Sequence, residues 1–262
     1  MSENSDSILL VGISGPSSSG KTTLSRLLRD IFPPYFLTIL HLDDFYLTDT
    51  SIPVKNGIQD WDCIESLNLP QLHSTLAYIK EHGKSPPDFV SKEDQNSVGE
   101  HGVDEGVIPK LRERVRGAIE REGWGRKIVV VDGFLLFSND MKEVRELFDV
   151  RIFLRTSYAT AKRRREARSG YVTLEGFWED PPGYVDQIVW PNYVADHEFL
   201  FVGGDVESEL DGNVCRELGI QGMPKEVEAD MGKCLEWAVE VLERIINGAS
   251  NEGTKPCQEK DI

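Results

Sequence analysis

Ile8-Leu-Leu-Val-Gly-Ile13-Ser14-Gly15-Pro16-Ser17-Ser18-Ser19-Gly20-Lys21-Thr22-Thr23-Leu24 is the stretch on which the fold turns. The run Ile8 to Ile13 is almost continuously apolar, the composition of a strand buried on both faces of a parallel sheet. Gly15 to Thr22 then matches G-x-x-x-x-G-K-[ST], the pattern of a phosphate-binding loop. The chemistry needs those residue types in that order. Glycines allow a tight backbone path, successive N–H groups and the following helix N-terminus converge on an anion, lysine reaches the β- and γ-phosphates, and the threonine hydroxyl suits Mg²⁺. Leu24, Leu27, Leu28 and Ile31 continue at helical spacing until Pro33-Pro34 ends the pattern.

Working outward, Phe36 to Leu40 reads as a second buried strand and completes a βαβ unit. Lys127 to Asp132 and Val150 to Leu154 supply a third and fourth of the same kind, and Glu198 to Val202 is expected as the fifth. Helical periodicity marks Leu69 to Ile79, Leu111 to Ile119, Tyr158 to Arg168, Gly183 to Asp196 and Val227 to Ile246. Strands alternating with helices predict an α/β three-layer sandwich with a five-stranded parallel sheet, a P-loop nucleotide-binding fold. One domain is expected over 8–247, between a flexible N-terminus, 1–7, and a flexible tail, 248–262. Residues 84–106 hold two prolines, several glycines and many acids with little periodicity, and read as a mobile acidic insertion.

With 45 Asp and Glu against 29 Lys and Arg, the formal charge is −16, which repels phosphate backbones and anionic lipid. Neither nucleic acid nor a membrane surface is an expected partner. The longest apolar runs fall well short of the roughly 20 residues a membrane helix needs, and the acidic N-terminus lacks the order of a secretory signal, so a cytoplasmic protein is expected, a monomer or weak dimer. The four cysteines form no C-x-x-C pair and read as reduced thiols, and the five histidines show no ligand spacing and carry no assigned chemistry.

A phosphate-binding loop says nucleotide but not reaction, so acids at the other strand ends matter. Asp43-Asp44 follows the second strand, at the carboxyl edge where open α/β sheets bind ligands. A carboxylate there can accept the proton of an attacking hydroxyl and face Mg²⁺, although an isolated Asp pair also serves as a turn cap. Asp132-Gly133 ends the third strand, where it can hold a metal-bound water or simply make a turn.

Gly12 to Leu24, His41-Leu-Asp-Asp-Phe-Tyr46, Gln59-Asp-Trp-Asp62, Val131-Asp-Gly-Phe-Leu-Leu-Phe137, Lys162-Arg-Arg-Arg165, Pro182-Gly-Tyr184 and Trp190-Pro-Asn-Tyr193 together resemble the nicotinamide riboside kinases, within the uridine kinase-like P-loop metabolite kinases. The resemblance spans roughly 8–83 and 127–203. It implies ATP-dependent phosphorylation of the ribose 5′-hydroxyl of nicotinamide riboside, with nicotinic acid riboside as a second substrate, a step into NAD synthesis. Carried over position by position, it implies that Gly15 to Thr23 bind ATP, with Lys21 catalytic, and that Asp43 is the general base near Mg²⁺ with Thr22 as the other metal contact. Asp43, Asp44, Phe45, Tyr46, Trp61, Asp62 and Arg165 would surround the nucleoside, while Arg164 and Arg168 would reach ATP from a lid over 158–193. Asp132 stands where the family often has Glu, a shorter reach to the metal shell.

Physical chemistry supports these roles. One carboxylate, Asp62, can accept hydrogen bonds from both hydroxyls of a ribose diol. Trp61 offers a π face on which a cationic pyridinium gains roughly 0.5 to 2 kcal/mol over a neutral base. Arg164 and Arg168, four apart on a helix, would share one face and stabilise the transferring phosphoryl group. Three alternatives stand beside this reading: a uridine or cytidine kinase or another small-metabolite kinase on the same scaffold, a non-catalytic nucleotide-binding regulator, and a GTP switch. The switch lacks an Asn-Lys-x-Asp stretch for guanine and an Asp-x-x-Gly after the third strand.

Overall fold

The computed structural model describes residues 8–91, 101–168, 170–173 and 175–248. The core is a five-stranded parallel sheet built from β1 (Leu9–Ser14), β2 (Leu37–His41), β3 (Ile128–Gly133), β4 (Val150–Phe153) and β5 (Ile220–Gly222), in the order β2-β3-β1-β4-β5. Every residue of β1 and β3 is buried, as central strands covered on both faces require. Leu9, Val11 and Ile13 point to one apolar layer and Ile8 and Leu10 to the other, the period-two alternation of a strand.

One layer is made by α1 (Lys21–Ile31), α3 (Val107–Glu122) and the C-terminal helix α6 (Met231–Ile246), through Leu24, Leu28, Val115, Leu235 and Val239 among others. The opposite layer takes Leu72, Leu76 and Ile79 of α2 (Leu69–His82) and Tyr193 of α5 (Trp190–His197). The three-layer sandwich is therefore observed. Helix α4 (Tyr158–Glu166) is different in kind: of its residues only Ala161 and Arg165 are buried, and it begins at a Ser157 cap whose side chain accepts from the Thr160 N–H.

The expected fifth strand at Glu198–Val202 is a correction. Glu198–Leu200 is a 3₁₀ turn closing α5, Phe201 makes an isolated antiparallel bridge to Leu210, and the fifth strand is Ile220–Gly222. The apolar residues of the former satisfy burial in the α2 layer without laddering, whereas Ile-Gln-Gly is too short and too polar to leave a periodic signal. Gly222 also lets Leu210 lie over the sheet edge, where a Cβ would fall 2.4 Å from the Leu210 side chain. The helix expected over Gly183–Asp196 opens as a π-helical turn, Val185–Val189, before α5, next to Pro191, which has no N–H to donate. The expected flexible segments 1–7 and 249–262 and the centre of the acidic insertion, 92–100, lie outside the described residues. Among the described residues no helix is long and apolar enough to cross a membrane, and Cys63, Cys215 and Cys234 are free thiols.

Candidate active site

The carboxyl ends of β1, β2 and β3 meet at one cleft. Between β1 and α1 the chain turns through Gly15 and Gly20, at φ +144° and +96°. A Cβ on Gly15 would stand 2.3 Å from the Leu154 carbonyl oxygen, so only glycine lets the loop pass the end of β4. Gly20 caps α1 without a side-chain hydrogen bond, which leaves first-turn N–H groups free to meet an anion.

Lys21 lies along this loop, its Nζ donating to the carbonyls of Gly15 (2.9 Å) and Pro16 (2.8 Å). Burial brings its pKa down to about 8, against the pull of Asp132 and Asp43. Asp43 sits in the 3₁₀ turn Leu42–Phe45 that follows β2 directly. That turn packs against Gly133, where a Cβ would come within 2.6 Å of Leu42, and the fit sets Asp43 beside the end of β3. Burial, then the charge of Asp132, raise the Asp43 pKa to about 6, with Lys21 opposing. Asp132 itself is 3% exposed; its Oδ1 accepts from His41 Nδ1 at 2.6 Å, and its Oδ2 has no hydrogen-bond partner among the described residues.

The opposite wall is Trp61 and Asp62. Trp61 N–H donates to the Tyr184 hydroxyl (2.9 Å), and Asn192 of α5 donates to both carboxylate oxygens of Asp60 (3.0 and 2.9 Å) and to the Asp62 carbonyl (3.1 Å). These bonds bolt an irregular segment to a helix. Trp61 is 4% exposed, its ring edge-on to Tyr46 (5.3 Å between centroids) and tilted against Trp178 (5.7 Å). Asp62 takes a fork-to-fork pair from Arg165, Nη1 to Oδ1 and Nη2 to Oδ2, each 3.1 Å. Burial lifts the Asp62 pKa, and Arg165 pulls it back.

Arg165 has further duties. It donates to Asp180 through Nε (2.6 Å) and Nη2 (3.1 Å) and to the Ser17 hydroxyl (2.7 Å), and it lies over the Tyr171 ring. Arg165 lines the cleft and also ties α4 to the phosphate loop, to Asp62 and to the hairpin Tyr171–Val172/Phe177–Trp178. Of the expected nucleoside residues, Asp43 and Tyr46 line the cleft, whereas Phe45 is fully buried in the core against Phe89 and Asp44 is not part of the lining. Arg164 and Arg168 line different clefts. Helix α4 stops at Glu166, so Arg168 leaves the helical phase, lines the cleft and donates to the Tyr171 hydroxyl (2.5 Å), while Arg164 reaches the Ser18 carbonyl (3.3 Å) and lines a neighbouring cleft with Asp104, Met231 and Glu236.

Sequence reading passed over His41, Trp178, Asp180 and Asn192. His41 and Asn192 lie inside quoted motifs, yet their partners, Asp132 and Asp60, are far away in the chain and only tertiary packing joins them. Asp180 carries no signal beyond an acid before a proline pair.

A strand–loop–helix phosphate cradle with a lysine, and acids at the ends of two neighbouring parallel strands, define a P-loop phosphotransferase. No protein-family model matches the chain. The nicotinamide riboside kinase of Schizosaccharomyces pombe is 45% identical over 203 residues, which cover 77% of this chain and 84% of that protein. The nicotinamide riboside kinase of Saccharomyces cerevisiae is 34% identical over 241 residues, 91% of this chain and 97% of that one, and human nicotinamide riboside kinase 2 is 31% identical over 80% and 76%. Among solved structures, a possible uridine kinase from Bacillus stearothermophilus aligns over 75% of this chain and 85% of its own at 16% identity and a TM-score of 0.41. The chain belongs to the nicotinamide riboside kinase family.

Proposed function

We propose that this protein transfers the γ-phosphoryl group of ATP to the ribose 5′-hydroxyl of nicotinamide riboside, giving nicotinamide mononucleotide and ADP. The carrying observation is the convergence on one cleft of a phosphate-loop lysine, a buried carboxylate of raised pKa and an aromatic wall that ends in Asp62. Asp43, its pKa moved toward neutrality, accepts the proton of the 5′-hydroxyl as the oxygen attacks phosphorus. Lys21 exchanges its bonds to the Gly15 and Pro16 carbonyls for phosphate oxygens, which carry more charge. Asp62 has lone pairs left after Arg165 and uses them on the ribose diol.

The same cleft fits Mg²⁺. Thr22, Asp43 and Asp132 Oδ2, which has no hydrogen-bond partner among the described residues, are hard oxygen donors, and a magnesium ion is usually held by one or two carboxylates together with phosphates and water. Bound there, Mg²⁺ would neutralise charge building on the transferring group. Trp61 and Trp178 are in mutual ring contact, so a pyridinium stacking on Trp61 displaces the hairpin that carries Trp178. We infer that this hairpin, with Arg168, forms the lid over 158–193.

The test is steady-state turnover with MgATP on nicotinamide riboside, nicotinic acid riboside and uridine. The expected result is a higher kcat/KM for the pyridine ribosides. Equal or faster turnover of uridine rejects the substrate assignment and leaves a kinase of another nucleoside.

A further inference from the structure

His41 ends β2 directly opposite Asp132 at the end of β3, the two being register partners in adjacent parallel strands. Both are nearly closed to solvent, at 2% and 3% exposure, and the 2.6 Å contact joins Nδ1 to Oδ1. A carboxylate only accepts, so the imidazole carries its proton on Nδ1 and donates it. The bond consumes one carboxylate oxygen and fixes the plane of the other. Oδ2, buried and without a partner among the described residues, belongs to a side chain that lines the cleft alongside Lys21 and Asp43. Asp132 is also the strongest single charge acting on both Lys21 and Asp43.

An Asp carboxylate at a strand end can rotate about χ2 and is attracted to Lys21, which lines the same cleft. Lys21 instead donates to loop carbonyls, where phosphate can replace them. Resting on the phosphotransferase reading above, we propose that His41 is a positioning residue for phosphoryl transfer, holding Asp132 so that Oδ2 is presented to the reacting phosphates and their cation and Asp132 does not capture Lys21. Donors that orient a carboxylate or imidazole near a metal typically matter about 10- to 100-fold in affinity or activity.

The chain of 262 residues carries the test, with His41→Leu, His41→Asn, Asp132→Asn and the double variant His41→Leu/Asp132→Asn. Asparagine keeps an N–H donor at the same bond count from Cα as Nδ1; leucine has none. His41→Leu is expected to lower kcat roughly 10- to 100-fold, with KM for the riboside changed less than about threefold. Calorimetric titration with ADP, with and without Mg²⁺, should show that His41→Leu loses most of the affinity gained from Mg²⁺. His41→Asn should recover both quantities to within about threefold, and the double variant should be no slower than Asp132→Asn alone. If the double variant is slower than Asp132→Asn by the factor that His41→Leu costs the parent, or if folded His41→Asn recovers neither quantity, His41 does not act through Asp132 and the proposal is overturned. Should His41→Leu fail to fold, His41→Gln, whose donor sits one bond further out, takes its place: Asn active with Gln impaired supports the proposal, and equal behaviour overturns it. Parent protein that fails to phosphorylate the riboside defeats the substrate reading alone, because the ADP titration needs no acceptor and still decides on His41.

Discussion

Asp43 and Trp61 divide chemistry from selection. Asp43→Asn keeps the shape of the turn and removes the base, so kcat is expected to fall by at least roughly 10²-fold while the thermal melt shows a folded protein; near-normal turnover would remove Asp43 from proton transfer. Trp61 already packs against Tyr46 and Trp178, which by itself is a sufficient reason for a tryptophan. What separates packing from recognition is a difference between substrates. Trp61→Leu retains apolar contact and loses the π face, so it should cost nicotinamide riboside about 0.5 to 2 kcal/mol more than uridine, read as the ratio of kcat/KM values in one variant. An unchanged ratio returns Trp61 to packing alone.

At the scale of elements, the site depends on joints that contain no reacting atom. Arg165 is the joint between α4, the phosphate loop, the Trp61-Asp62 segment and Asp180. Arg165→Ala strands Asp62 as a buried charge, and breaking such a pair costs on the order of 3 to 5 kcal/mol; denaturant unfolding should show that loss, with KM for the riboside rising more than KM for ATP. Lysine cannot restore the fork geometry, so Arg165→Lys should recover little. The joint between β1 and α1 is steric. Gly15→Ala forces a Cβ into the Leu154 carbonyl at a backbone angle alanine avoids, and is expected to lower both the melting temperature and ATP affinity. A variant with parental ATP affinity would show that the loop can shift to accommodate the side chain.

Across the whole molecule, opposite shifts of two buried groups set a pH window. Burial raises Asp43 to about 6 and lowers Lys21 to about 8. The base must be ionised and the lysine protonated, so kcat/KM for MgATP should rise through about pH 6 and fall above about pH 8. Bound phosphates favour the ammonium, and the alkaline limb of kcat should lie at higher pH than that of kcat/KM. A pH profile with its acid limb at the ordinary carboxylate value of 3.8 would show that Asp43 is not the titrating base.

Much of this architecture follows from local rules. Ile8 to Thr22 by itself specifies strand, phosphate loop and helix, because burial on both faces demands an apolar run and the loop demands glycine at fixed places. Four of the five strands were legible for the same reason. The edge strand Ile220–Gly222 was not, because its place in the sheet comes from pairing with Arg151 to Phe153 rather than from its own hydrophobicity. Residue types at the site were legible too: Lys21, Asp43, Trp61, Asp62 and Asp132 all line one cleft. Orientation was not. That Phe45 turns into the core, that Arg165 spends its donors on Asp62 and Asp180, and that His41 claims one oxygen of Asp132 are outcomes of contacts between distant segments, since a buried polar group takes whichever partner the packed chain brings within about 3 Å.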